Sequence, residues 1–134
     1  MIPSTNTILS TDIEVGTEPS RNYRMNIDTS SINGFCDKLE AMKQVIYKIL
    51  NTERYQHVIY SWDYGIELLD LYGEPVTYVC PELQRRIEEA LTQDDRIESV
   101  DGFEFDISEK RIIKTTFTVH TIYGDVESEK VVEY

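Results

Sequence analysis

Between Phe35 and Leu50, apolar residues fall at Leu39, Met42, Val45, Ile46, Ile49 and Leu50. That three- and four-residue spacing predicts an amphipathic helix with one buried stripe. A second helix is expected over "PELQRRIEEALTQ", with Pro81 opening its first turn, Glu82 near its positive end, and Leu83, Ile87, Ala90 and Leu91 as its core stripe. Beyond it the period drops to two. Val100, Phe103, Phe105 and Ile107 suit one buried strand, and Ile113, Thr115, Phe117, Val119, Thr121 and Tyr123 alternate along a longer one. Gly124-Asp125 is the expected two-residue hairpin turn, and "VESEKVVEY" closes the chain as a charged strand.

The first half is less regular. Tyr23, Met25 and Ile27 predict a strand over 21–28, followed by a turn at Asn33-Gly34. "YQHVIYSW" predicts another short strand, stopped by Asp63-Tyr64-Gly65, and "IELLDLYG" a helical turn closed by Gly73. Residues 1–20 are rich in Ser and Thr, hold two of the four prolines, and predict an extended N-terminal arm. The expected architecture is therefore α+β: an arm over 1–20, then one domain over 21–134. Two main helices pack on an antiparallel sheet that ends in a C-terminal three-stranded meander.

Charge narrows the function. Thirteen basic residues against twenty-five acidic ones give a formal net charge of −12, which repels nucleic-acid phosphates and anionic membrane surfaces. The N-terminus lacks the basic start and apolar run of a secretory signal, and no apolar stretch approaches a bilayer-spanning length. Cys36 and Cys80 form no metal-binding spacing and read as free thiols. His57 and His120 lack ligand-like neighbours in sequence and read as sheet-surface residues. Glycine-rich phosphate loops, nucleophile elbows and calcium loops are not found, so no cofactor and no metal are expected.

Three readings compete for the acidic and aromatic residues in and around the stretch from Ile49 to Leu69. Glu53 and Asp63 are a conceivable carboxylate pair for glycoside hydrolysis, which would make the chain muramidase-like. Carboxylates are common along this chain, however, and the spacing of these two is not distinctive. The alternative is a contact surface. Tyr47, Tyr55, Tyr60, Trp62, Tyr64, Tyr72 and Tyr78 cluster here, and Tyr and Trp bury much area with few rotors. A regulatory binding module on the same fold is a third possibility.

A helix ending in "YKILNTERYQ", an aromatic segment and "SWDYG" together resemble the sheath-initiator family of contractile phage-tail baseplates, whose members are also labelled tail lysozyme-like. Thr52-Glu53-Arg54 matches the family's cluster, with Glu53-Arg54 standing where the family carries Glu-Pro-Arg. Asp63-Tyr64-Gly65 matches its stop. The element order agrees over about residues 20–125. The resemblance implies a non-enzymatic virion structural protein of a phage tail or phage-tail-like bacteriocin, assembled in the bacterial cytoplasm. Its implied partners are baseplate wedge proteins and sheath subunits, with the tail tube as a further candidate. The expected partner-binding residues are Thr52, Glu53, Arg54, Tyr55, Trp62, Asp63, Tyr64 and Gly65, with Arg54 offering its planar fork to a partner carboxylate. The expected strand-addition edge is Val126, Glu127, Ser128, Glu129, Lys130, Val131 and Val132.

Overall fold

The structure, a computed structural model, describes residues 14–134; the first thirteen positions of the expected arm lie outside the described residues. Strands β1 (Asn22–Asn26) and β2 (Ser31–Cys36) form an antiparallel hairpin. Helix α1 (Lys38–Leu50) follows, then a long loop, a 3-10 turn (Leu69–Leu71) and helix α2 (Val76–Thr92). Strands β3 (Ile97–Asp106), β4 (Ile112–Thr121) and β5 (Gly124–Glu133) form an antiparallel sheet in the order β3-β4-β5. The α+β class, the two helices and the C-terminal meander are those the hydrophobic pattern predicts.

The core joins the helices to the inner face of the meander. Met42, Ile46, Ile49 and Leu50 of α1 meet Val79, Leu83, Ile87, Ala90 and Leu91 of α2 in one cluster. Ile113, Phe117 and Val119 of β4 and Val126 and Val132 of β5 complete it. Each fully buried Ile or Leu contributes about 1.5–3 kcal/mol, so the stripes that mark the helices in sequence also dock them. Ser20 and Asp37 cap α1: Lys38 N–H donates to Asp37 Oδ1 at 2.7 Å and to Ser20 Oγ at 3.1 Å. The bond from Ser20 Oγ holds the Asp37 carboxyl below the usual range.

Several boundaries differ from expectation, each for a physical reason. Asn33-Gly34 lies inside β2. Tyr23 pairs with Phe35 and Met25 with Ile32, so Arg24 faces two residues, and Gly34 with φ +67° supplies the bulge. The reversal occurs over 27–30 instead. Helix α2 begins five residues before Pro81, because the Pro75 carbonyl accepts from both Tyr78 and Val79 N–H groups, at 2.9 and 3.1 Å. Pro81 then removes one ladder bond, the one to the carbonyl of Thr77, at an exposed position of the helix.

In β3, Val100 and Phe103 have opposite parity, yet both turn inward. A bulge at Gly102 (φ +66°) sets two residues against one and restores the face. Ile107, expected on that buried face, lies beyond the strand and is exposed. The final hairpin turns at Ile122-Tyr123, two residues before the expected place, because Thr121 pairs with Gly124. Thr121 Oγ1 fastens it, donating to the Gly124 carbonyl at 2.7 Å and accepting from Tyr123 N–H at 3.2 Å.

Candidate protein-contact surfaces

The segment predicted as the strand "YQHVIYSW" is a loop of successive turns. Its apolar residues lack a partner strand, and Val58 and Ile59, adjacent and therefore on opposite faces of any strand, are both exposed. The loop closes at its base. Arg54 N–H donates to the Ile66 carbonyl at 3.1 Å and Ile66 N–H to the Thr52 carbonyl at 3.0 Å, around a parallel bridge between Glu53 and Ile66. Gly65 is required at this closure: its φ is +92°, and a Cβ there would stand 2.5 Å from the Thr52 carbonyl oxygen.

The side chains of the Thr52-Glu53-Arg54 cluster build this loop from within. Arg54 is 9% exposed. Its Nε donates to the Gly65 carbonyl at 3.2 Å, Nη2 to the Asp63 carbonyl at 3.1 Å, and Nη1 to Glu89 Oε1 of α2 at 3.0 Å. The fork expected to face a partner thus spends its donors inside the chain. Glu53 accepts from Leu68 N–H through both oxygens, at 3.0 and 3.1 Å, and from Leu69 N–H at 3.2 Å, which caps the 3-10 turn. Thr52 Oγ1 donates to the Lys48 carbonyl at 2.7 Å and finishes α1.

Asp63 turns instead to Ser61, whose Oγ donates to Oδ1 at 2.5 Å and holds the carboxyl low. Glu53 and Asp63 therefore share no contact. Arg86 fastens the far side, donating to the Glu67 carbonyl at 2.9 Å, Glu82 Oε2 at 3.1 Å and Asp70 Oδ2 at 3.0 Å.

The braced loop presents apolar side chains to solvent. Tyr55, Val58, Ile59 and Trp62 are exposed, and Trp62 meets Tyr55 edge-on at 6.5 Å. Tyr64 is half-buried on the core and stacks on Tyr60 at 4.5 Å. Val58 and Ile59 were missed in the sequence because a strand there would hide one of them. Two adjacent aliphatics flanked by His57 and Tyr60 were the available signal.

The second surface is the open side of β5. Side chains alternate along it: Val126, Ser128, Lys130 and Val132 turn inward, Glu127, Glu129, Val131 and Glu133 outward. Tyr134 N–H donates to the Arg111 carbonyl at 3.1 Å, and hydrogen-bonded pairs alternate along an antiparallel ladder. Even-numbered residues of β5 therefore bond β4, and the backbone groups of Glu127, Glu129 and Val131 point to the open edge. Lys130 bends inward, and its Nζ donates to Asn51 Oδ1 at 3.1 Å. Burial pushes its ammonium below the usual range.

His120 is a correction to the sequence reading, because it does have ligand-like neighbours. Nδ1 meets Asp125 Oδ1 at 2.7 Å and Nε2 meets Asp101 Oδ2 at 2.8 Å. The two carboxylates lie on opposite sides of the ring and do not converge on a common point. Cys36 and Cys80 are free thiols. Among the described residues, no group of three or more His, Cys, Asp or Glu is placed to hold a metal ion, and no helix is long and apolar enough to cross a membrane.

Residues 20–124 match the family model described as "Contractile injection system sheath initiator". The chain is also 38% identical over 128 residues to the phage-like element PBSX protein XkdS of Bacillus subtilis (strain 168), covering 90% of each chain.

Proposed function

This chain belongs to the contractile injection system sheath initiator family, and on that premise we propose that it docks in a tail baseplate and starts the sheath by accepting a strand. Membership makes it a structural component of a phage-tail-like particle. The finer assignment is a division of labour. The loop over 52–65, braced from within by Glu53, Arg54 and Gly65, presents Tyr55, Val58, Ile59 and Trp62 to a baseplate wedge subunit. The open edge of β5 receives a strand from the first sheath subunit. The particle assembles in the bacterial cytoplasm.

The observation that carries this reading is the edge itself. β5 runs ten residues at the border of its sheet, with the backbone groups of Glu127, Glu129 and Val131 unpaired by β4. Proteins normally blunt such edges. Here the outward glutamates and the inward Lys130 discourage indiscriminate pairing while leaving the backbone open to a matched strand.

Proline substitution tests it. Glu129→Pro removes an N–H that has no partner within the sheet, so the domain folds and the baseplate forms, but sheath polymerisation stops. Ser128→Pro removes a bond of the β4–β5 ladder and destabilises the domain itself. Full-length sheaths on baseplates carrying Glu127→Pro or Glu129→Pro would rule out strand addition at this edge.

A further inference from the structure

The open edge of β5 forms one wall of a groove of about 510 Å³. Its floor is α1, through Gln44, Ile46, Tyr47 and Leu50. Its other wall is β1, through Met25, with Ile27 just beyond the strand. The groove therefore lies between two strand edges from two separate sheets.

The β1 edge is not left open. The Gln44 side chain lies along it: Nε2 donates to the Tyr23 carbonyl at 2.7 Å, and Oε1 accepts from Met25 N–H at 2.8 Å. Tyr23 and Met25 are two apart, so these backbone groups point to the same side of β1. One primary amide thus bonds them as a residue of an adjacent strand would. Cys36 Sγ lies 3.8 Å from the same carbonyl and 3.7 Å from Gln44 Oε1. A glutamine projecting from a helix is held by three rotatable bonds and can leave without disturbing α1.

We infer that the Gln44 amide is a placeholder on the β1 edge, and that the sheath strand accepted by β5 displaces it and pairs with both walls of the groove. This rests on the strand-addition reading and extends it: the strand joins the N-terminal hairpin and the C-terminal meander into one sheet. The walls also state what the strand must carry. Side chains directed at the floor meet Ile46, Leu50 and Val126 and are apolar or small. Those directed outward lie beside Glu127 and Glu129, where opposite charge directly across a strand pair is favourable. Lys114 already engages Glu129 at 3.0 Å, which leaves Glu127 as the main acceptor. The occupant is an extended sheath segment alternating apolar residues with outward lysine or arginine.

The experiment uses overlapping synthetic peptides covering the sheath subunit, titrated into the isotope-labelled full chain, wild type and Gln44→Met. Amide exchange is followed at Glu127 and Glu129 for the β5 edge and at Met25 for the β1 edge. In the free wild type, Gln44 protects the Met25 amide; in free Gln44→Met that amide exchanges quickly. The expected result is a peptide that protects all three amides in the variant and binds it about 2- to 10-fold more tightly, since no side-chain bond need break first. In the wild type the same peptide moves the Gln44 side-chain amide resonances, a readout that does not depend on the variant's folding. Protection of Glu127 and Glu129 with Met25 still open in the variant, or with Gln44 unmoved in the wild type, would overturn the placeholder and leave strand addition standing. Protection at neither edge by any peptide would overturn both.

Discussion

Arg54 Nε holds the Gly65 carbonyl at 3.2 Å across eleven residues of chain, and that grip closes the exposed loop between them together with the backbone bonds that join Thr52 and Arg54 to Ile66. The same guanidinium reaches the Asp63 carbonyl and Glu89, so one side chain ties the loop's end, its return and α2 together. The arginine that looks in sequence like a docking fork is a brace, and the side chains left exposed on the loop are Tyr55, Val58, Ile59 and Trp62.

Arg54→Ala is therefore expected to destabilise the isolated chain by about 2–3 kcal/mol, since hydrogen bonds to a charged group are lost and the buried Gly65 carbonyl is left unpaired. Arg54→Lys recovers little, because one ammonium cannot span three acceptors held in a fork geometry. Urea unfolding of the purified domain, without any partner, measures this. An unchanged midpoint would return Arg54 to the surface and to direct docking.

How far the fold could be read in advance depended on whether side-chain period or backbone geometry decided each element. The stripes of Met42, Ile46 and Ile49 and of Leu83, Ile87 and Leu91 announce their helices because burial and spacing coincide. The alternation from Ile113 to Thr121 does the same for β4. Gly34 misleads because glycine marks a turn and a bulge alike, and only pairing distinguishes them. The loop after Thr52 was hidden for another reason. Its aromatic residues imitate a strand, while its order comes from Arg54 bonding backbone carbonyls and Glu53 capping a 3-10 turn, contacts that leave no periodic trace. The charged closing strand β5 was legible; Gln44, one polar residue on a helix, was not.

Trp62 tests the contact role of the loop. Its side chain is 86% exposed, so Trp62→Ala changes stability by no more than about 0.5 kcal/mol. If the loop docks on a wedge subunit, the same change weakens that binding by about 2 kcal/mol or more, roughly 30-fold, as expected of a central aromatic anchor. Calorimetric titration against purified wedge subunits gives the comparison. Equal affinity for wild type and variant would move the contact off this loop.

His120 gives the sheet end a pH dependence. Asp125 first, then Asp101, raises its pKa above the ordinary 6.5. A raised folded value means that the protonated ring adds stability fully below about pH 6.5 and loses it as pH climbs through the folded pKa. The melting temperature of the wild type should therefore exceed that of His120→Gln most at mildly acidic pH, with the gap narrowing toward alkaline pH. A gap constant from pH 5.5 to 9 would show that the ring contributes through neutral hydrogen bonds alone.

Thr115 offers the reverse kind of test, a substitution expected to stabilise. It sits mid-way along β4, opposite Phe105 of β3 and Lys130 of β5, fully buried on the core face. Its Oγ1 has no hydrogen-bond partner. A hydroxyl buried without a partner costs about 1–3 kcal/mol. Valine keeps the β-branched shape that a strand prefers and replaces the hydroxyl with a methyl of similar size. Thr115→Val should raise the urea midpoint by an amount worth about 1 kcal/mol, with the slope of the transition unchanged because the exposed surface on unfolding is nearly the same. The hydroxyl and Lys130 belong to paired residues on the inner face, so the change also removes a polar neighbour from beneath the β5 edge. A loss of stability would mean that the hydroxyl is satisfied in the folded chain, and that this stretch of β4 is held by a polar contact rather than by packing.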